Sequence, residues 1–112
     1  MLYHQQGEET KSISDLSRVL QLDPNNIQAL LTRSDAYINL RDYGHALSDV
    51  NSGIRMTKDP VFFLGRAEVM VATGHRAEAI RDFRYVITHS REPELRKAAE
   101  AGLEELVHSS SP

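Results

Sequence analysis

The chain of 112 residues contains no cysteine. This absence excludes disulfides, thiolate metal sites and cysteine nucleophiles together, and it fits a reducing compartment. A long apolar run is missing too: the apolar stretch at 61–64 ends at Gly65-Arg66, whereas a membrane-spanning helix needs roughly 18–20 apolar residues. No basic segment followed by an apolar core opens the sequence, so no signal peptide is predicted. We therefore expect a cytoplasmic protein that makes no membrane contact.

Residues suited to metal, phosphate or nucleic-acid chemistry are also scarce. No two histidines are spaced three or four residues apart, so no helix would present a paired metal site. The histidines, which we expect to be solvated or capping residues, are His4, His45, His75, His89 and His108. The glycines do not cluster into a phosphate loop, and the net charge is −3, whereas nucleic-acid binding needs a basic footprint. The composition predicts no enzyme, no cofactor, no metal site and no nucleic-acid partner.

One segment is locally basic. It contains Arg76, Arg81, Arg84 and Arg91. Glu78 and Asp82 accompany these arginines, and carboxylates at helical spacing from basic residues are typical of ion-paired helix surfaces. The segment is therefore expected to form a salt-bridged outer surface.

Apolar residues recur with helical spacing almost from end to end, and no stretch alternates apolar and polar residues long enough to indicate a strand. In the stretch from 42 to 56, for example, Ala46, Leu47, Val50 and Ile54 share one helix face. The pattern predicts seven helical segments, at about 2–6, 9–22, 26–40, 43–56, 60–73, 76–89 and 93–107. Each is short, and because isolated short helices are marginal in water, they must be stabilised by packing.

A few residues mark the helix boundaries. Asn26 can cap the helix that follows it, and Asp59 can cap a helix that starts at Pro60, where the missing N–H costs nothing. Gly7 and Gly74 are expected at short turns inside their units, with positive φ angles. A third helix start of the same kind is predicted at Glu92-Pro93, and Arg41 occupies the turn equivalent to that of Gly74 in the middle unit.

The pattern of apolar, turn and small residues returns every 34 or 33 residues. Ser12 and Ala46 hold equivalent positions 34 residues apart, and Ala79 follows Ala46 by 33. A fixed period of this size indicates stacked copies of one small unit, in which each copy buries its apolar face against its neighbours. Such stacks usually present a surface for another protein.

The spacing and residue types resemble the tetratricopeptide repeat family, whose helix–turn–helix units of 34 residues stack on one another. Leu30 and Tyr37 match core positions of the first helix of a unit, and Tyr43 and Ala46 match positions of the second. The resemblance covers nearly all of residues 1–91. It has departures: Arg33 and Arg66 stand where leucine is common, and Arg76 replaces an aromatic residue.

The resemblance implies an all-α fold, a right-handed superhelix of about seven antiparallel helices. It predicts one domain over residues 1–108, in which a truncated first repeat precedes two full ones. The predicted ranges are a partial repeat 1 at 1–26, repeat 2 at 27–59, repeat 3 at 60–92, a capping helix at 93–107 and a disordered tail at 109–112. The capping helix carries one apolar stripe, and its opposite face is polar.

The first repeat begins, by its register, in the middle of its first helix. The missing part should expose the apolar face of the helix at 9–22, notably Ile13 and Leu16. Terminal repeats normally need a polar outer face. Two interpretations stay open: the chain is a fragment of a longer array, or another chain covers that face. The second interpretation makes self-association through this face the alternative function, and a homo-oligomer a possible assembly.

In the family, the first helices of the repeats line a concave groove. The resemblance therefore implies groove positions at Gln28, Leu31, Thr32, Asp35, Ile38, Asn39, Val61, Leu64, Glu68 and Val71, with His4, Gln5, Gly65 and Ala72 at further places. An aliphatic floor with scattered polar groups suits an extended or helical peptide, and Asp35 and Glu68 would favour a basic group on it. The alternative is that the aliphatic members only pack against neighbouring helices.

One family ligand can be tested against the residues directly. Co-chaperone members hold the acidic tail of heat-shock chaperones with lysine, asparagine and arginine side chains. The corresponding positions here are Met1, Thr32, Val61 and Gly65, which cannot supply the charge-assisted donors that a terminal carboxylate needs. The predicted function is therefore a protein-interaction module, a scaffold or adaptor that holds a peptide or partner segment other than such a tail.

Overall fold

The computed structural model describes the backbone of residues 2–109 and the side chains of residues 6–108. Over these residues the fold is all-helical. Its six helices are α1 (Leu2–Leu22), α2 (Ile27–Asn39), α3 (Tyr43–Thr57), α4 (Pro60–Ala72), α5 (Arg76–His89) and α6 (Pro93–Ser109). None of the helices in this described part is long and apolar enough to cross a membrane.

The prediction of two helices at 2–6 and 9–22 is wrong, because α1 runs through Gly7 without a turn. Thr10 Oγ1 donates to the Gln6 carbonyl oxygen at 2.8 Å, one helical turn back. No proline or capping residue flanks Gly7, and glycine inside a helix costs only about 1 kcal/mol. A break there would leave the N–H groups of a new helix start without partners. One continuous helix is therefore favoured, and the described fold has six helices rather than seven.

The predicted starts of α2, α4 and α6 are confirmed. Asn26 accepts a hydrogen bond from the backbone N–H of Ala29 at 2.9 Å. Asp59 accepts from the N–H of Val61 at 3.0 Å, just before Pro60 opens α4. In both cases a side-chain oxygen satisfies an N–H group that has no partner within its own helix.

The turns between α2 and α3 and between α4 and α5 have the same geometry. Arg41 has a φ of 61°, and Gly74 has a φ of 82°. After α2, the N–H of Asp42 donates to the Tyr37 carbonyl oxygen at 2.9 Å, and the N–H of Arg41 donates to that of Ile38 at 2.9 Å. The turn at Gly74 makes the same two bonds, at 2.8 and 3.2 Å. These are the paired bonds of a Schellman cap, so Arg41 accepts a left-handed conformation that glycine adopts freely.

Two compact units divide after Thr57. In the N-terminal unit α2 packs against both α1 and α3. Its buried apolar residues are Ala29, Leu30, Ala36, Ala46 and Val50.

In the C-terminal unit α5 packs against both α4 and α6, and α4 also contacts α6. Its core is formed by Ala67, Ala79, Phe83, Val86 and Ala99. The predicted disorder of residues 109–112 is wrong for Ser109, which closes α6 because the helix continues past its predicted end. Residues 110–112 lie outside the described part of the chain.

Candidate functional site

The predicted groove residues of α2 form a polar surface with partly buried aliphatic members. Thr32 Oγ1 donates to the Gln28 carbonyl oxygen at 2.9 Å and accepts from Gln28 Nε2 at 3.3 Å. Leu31 and Ile38 are half-buried, whereas Gln28 and Thr32 are exposed. The two polar side chains thus bond within one turn of their own helix, and the aliphatic ones are partly used in packing.

An acidic group lies beside this surface. Asn39 Nδ2 donates to Glu9 Oε1 of α1 at 3.2 Å. Desolvation by the surrounding helices raises the pKa of the Asp35 carboxyl above its ordinary value, and the nearby Glu9 charge raises it further. The α2 face would therefore favour a basic group on a ligand, in line with the sequence-based expectation.

The predicted groove residues of α4 line a pocket. Leu64, Glu68 and Val71 form its α4 wall, and the pocket has a volume of about 550 Å³. The other lining residues are Phe83 of α5 and, on α6, Ala98, Ala101, Gly102, Glu105 and Leu106. Val61 is half-buried and does not line it. The structure therefore brings three of the predicted residues together and adds a second wall.

The α6 wall depends on small residues. A Cβ atom added at Gly102 would lie 2.5 Å from Phe83 Cζ and 2.7 Å from Phe83 Cε1, so the backbone of α6 approaches the buried ring only because Gly102 has no side chain. Ala98 and Ala101 are exposed and small, which leaves space between the helices unfilled. Sequence reasoning treated α6 as a capping helix and missed this role; the small residues on its apolar stripe were the available signal.

Two buried ion pairs repeat in the fold, one in each unit. Arg33 binds Asp49 through two bonds, Nε to Oδ2 at 2.8 Å and Nη2 to Oδ1 at 2.6 Å, and Arg33 Nη1 also donates to Ser17 Oγ at 3.0 Å. Arg66 binds Asp82 in the same way, at 2.9 and 3.0 Å. Bidentate pairs of this kind are among the stronger polar contacts in proteins.

The ion pairs correct two expectations. The hydrogen bond to Asp49 raises the pKa of Arg33, although burial acts in the opposite direction. The arginines therefore do not merely weaken a leucine position, because each neutralises a carboxylate. Asp82 does not belong to a salt-bridged outer surface, since its side chain is only 8% exposed. The exposed pair of Arg81 with Glu78, at 3.5 Å, fits that prediction.

The histidines with described side chains lie on the surface as predicted. His45 Nδ1 is 2.8 Å from Asp42 Oδ2, and His108 Nε2 is 3.4 Å from Glu104 Oε1. Within the described residues no group of three or more potential ligands could hold a metal ion. The predicted groove or clamp positions at Met1, His4 and Gln5 have side chains outside the described part.

The N-terminal apolar face differs in detail from its prediction. Ile13 and Leu16 are half-buried, and α1 packs against α2. The exposed apolar residues of α1 are Val19 and Leu22, and Leu22 is 90% exposed. Self-association through this helix stays a prediction.

A comparison with family models decides the family. Residues 1–26, which comprise α1 and the turn that follows it, match the tetratricopeptide repeat model. The chain belongs to the tetratricopeptide repeat family. A search of curated proteins found no match. Tetratricopeptide repeats generally mediate protein–protein interaction and scaffolding and form a non-catalytic fold, which agrees with the helical architecture described above.

Proposed function

We propose that this tetratricopeptide repeat protein is an interaction module, a non-enzymatic scaffold or adaptor, and that the pocket between α4 and α6 holds an apolar side chain of a partner segment. The pocket carries the proposal. It is concave, lies within one compact unit, and is lined mainly by apolar residues. Its volume of about 550 Å³ falls in the range of roughly 300–1,000 Å³ that is usual for ligand pockets.

The lining supports binding rather than reaction. Leu64, Val71, Phe83 and Leu106 offer apolar surface, and the ionisable groups among the lining residues are Glu68 and Glu105. Burying one leucine- or phenylalanine-sized side chain contributes about 1.5–3 kcal/mol, which is less than the cost of association alone. A partner must therefore add contacts outside the pocket, as an extended or helical segment does when it lies along a groove.

The proposal is tested by filling the pocket without disturbing the core. Leu64 packs against the core cluster, so its replacement would confuse binding with folding, whereas Ala101 is exposed and lines the pocket. Ala101→Trp should occupy the space that a ligand side chain needs. Ala77→Trp is the matched control, because Ala77 is exposed on α5 and does not line the pocket.

A phage-displayed library of random dodecapeptides is selected against the wild-type chain, and recovered peptides are measured by fluorescence anisotropy. We expect them to bind the wild type and Ala77→Trp equally and Ala101→Trp at least about tenfold more weakly, the equivalent of a lost anchor worth about 1.4 kcal/mol. Circular dichroism checks that both variants remain helical. Recovery of no peptide, or equal binding to both variants, would contradict the proposed function.

A further inference from the structure

We infer that the partner segment presents a lysine or arginine next to its apolar anchor, and that the basic group is held between Glu68 and Glu105 at the pocket. This inference rests on the proposed function and deepens it by stating the chemistry of the ligand. Glu68 belongs to α4 and Glu105 to α6, so the two walls each contribute one carboxylate to the same apolar pocket.

The charge of the lining is of one sign. Its two ionisable residues, Glu68 and Glu105, are both acidic and both exposed, and the remaining lining residues are apolar or glycine. A cation bonded to this region is Arg76, which donates from Nη2 to the Leu106 carbonyl oxygen at 3.4 Å and is not itself a lining residue. A ligand that fills the pocket therefore meets two negative charges from the walls.

Apolar walls strengthen this preference. A ligand seated on Leu64, Val71 and Phe83 excludes water from beside the carboxylates, and charge interactions increase when the local dielectric constant falls. An acidic residue next to the anchor would meet like charge with little screening, which is an effective way to reject a wrong partner. A basic residue would be attracted, with affinity that falls as salt rises.

The size of the effect follows from exposed ion pairs. One exposed pair changes affinity by a factor of about 1.5–5, so two carboxylates together favour a basic ligand by a factor of up to roughly 20. Reversal of both charges adds repulsion. We therefore expect Glu68→Lys combined with Glu105→Lys to weaken basic peptides by about tenfold or more at low salt, with a smaller loss at high salt.

The experiment uses the same random library, selected in parallel against the wild type and against this charge-reversed double variant. Peptides that depend on the pocket, as judged by the Ala101→Trp variant, should be enriched in lysine or arginine beside a large apolar residue. Selection against the charge-reversed variant should enrich aspartate or glutamate instead. The matched control reverses Glu100 and Glu104, which are exposed on α6 and do not line the pocket, and it should leave the wild-type preference unchanged.

The outcomes separate the two proposals. Peptides that require the pocket but show no basic enrichment, or that are equally affected by the control reversal, overturn the charge inference and leave the proposed function standing. Peptides that ignore Ala101→Trp contradict the function itself. Pocket-dependent dimerisation of the wild-type chain in sedimentation would make a second copy the occupant and would also overturn the inferred ligand.

Discussion

Asp49→Ala provides the sharpest test of how the fold is held together. Asp49 is only 6% exposed and is the bidentate partner of Arg33, which is 21% exposed. Removing one partner of a fully buried pair costs about 3–5 kcal/mol, whereas exposed pairs contribute about 0.2–1 kcal/mol. Because Arg33 keeps its bond to Ser17 and is partly solvated, we place the cost between these limits, at about 2–3 kcal/mol of unfolding free energy.

The second half of this test removes the charge that Asp49→Ala leaves behind. Arg33→Leu restores the residue type that is common in the family, and an apolar side chain needs no partner beside the methyl group that the first substitution introduces. The double variant should therefore be more stable than Asp49→Ala alone, with a coupling energy of about 1–2 kcal/mol between the two sites.

The assay is urea unfolding of the wild type, both single variants and the double variant, followed by far-ultraviolet circular dichroism. A small domain has about 5–15 kcal/mol of stability in total, so a change of this size shifts the midpoint clearly while the slope stays constant. Additive effects of the two substitutions, with no coupling, would refute the argument that Arg33 serves to neutralise a buried carboxylate. Asp82→Ala repeats the test on the equivalent pair.

Two further sites give predictions with a defined sign. Gly102→Ala should lower the unfolding free energy by about 1–2 kcal/mol in urea titrations, because overpacking against the Phe83 ring costs about 1–3 kcal/mol and outweighs a helix-propensity gain of at most about 1 kcal/mol; Gly7→Ala, where a Cβ atom meets nothing within 4 Å, should raise it, and a loss there would support the predicted turn instead of a continuous α1. Asp35→Asn should stabilise the protein at neutral pH by less than about 1 kcal/mol, since the exposed carboxyl is screened by solvent. The folded-state pKa of Asp35 is raised, so its favourable contribution exists below the ordinary pKa of 3.8 and is lost as pH rises through the folded value; melting curves at several pH values should show the gain from asparagine disappear in acid, and a gain that does not depend on pH would contradict this assignment.

Local chemistry made several features predictable. Pro60 and Asp59 define a helix start by themselves, since both act on N–H groups within one turn of the chain. The same holds for Asn26 and for the left-handed turn at Gly74. Gly7 was misjudged by the same logic, because glycine permits a turn but does not require one, and neighbouring residues decided the outcome.

Long-range contacts were not predictable in this way. Arg33 and Asp49 are separated by 16 residues and lie on different helices, so no local pattern joins them. Their recurrence as Arg66 and Asp82 was visible as a period in the sequence, but identical spacing alone does not reveal whether two charged side chains are buried together or solvated separately.

The sequence by itself determined an all-helical repeat, most of its helix boundaries and its family, because apolar period, proline and capping residues act over a few positions. Only the tertiary structure decided that Leu64, Glu68 and Val71 face a second wall on α6, and that Gly102 lets that wall approach Phe83. The physical reason is that a pocket is the space that packing leaves empty. Its shape depends on side-chain volumes from three helices at once, which no segment of the chain specifies alone.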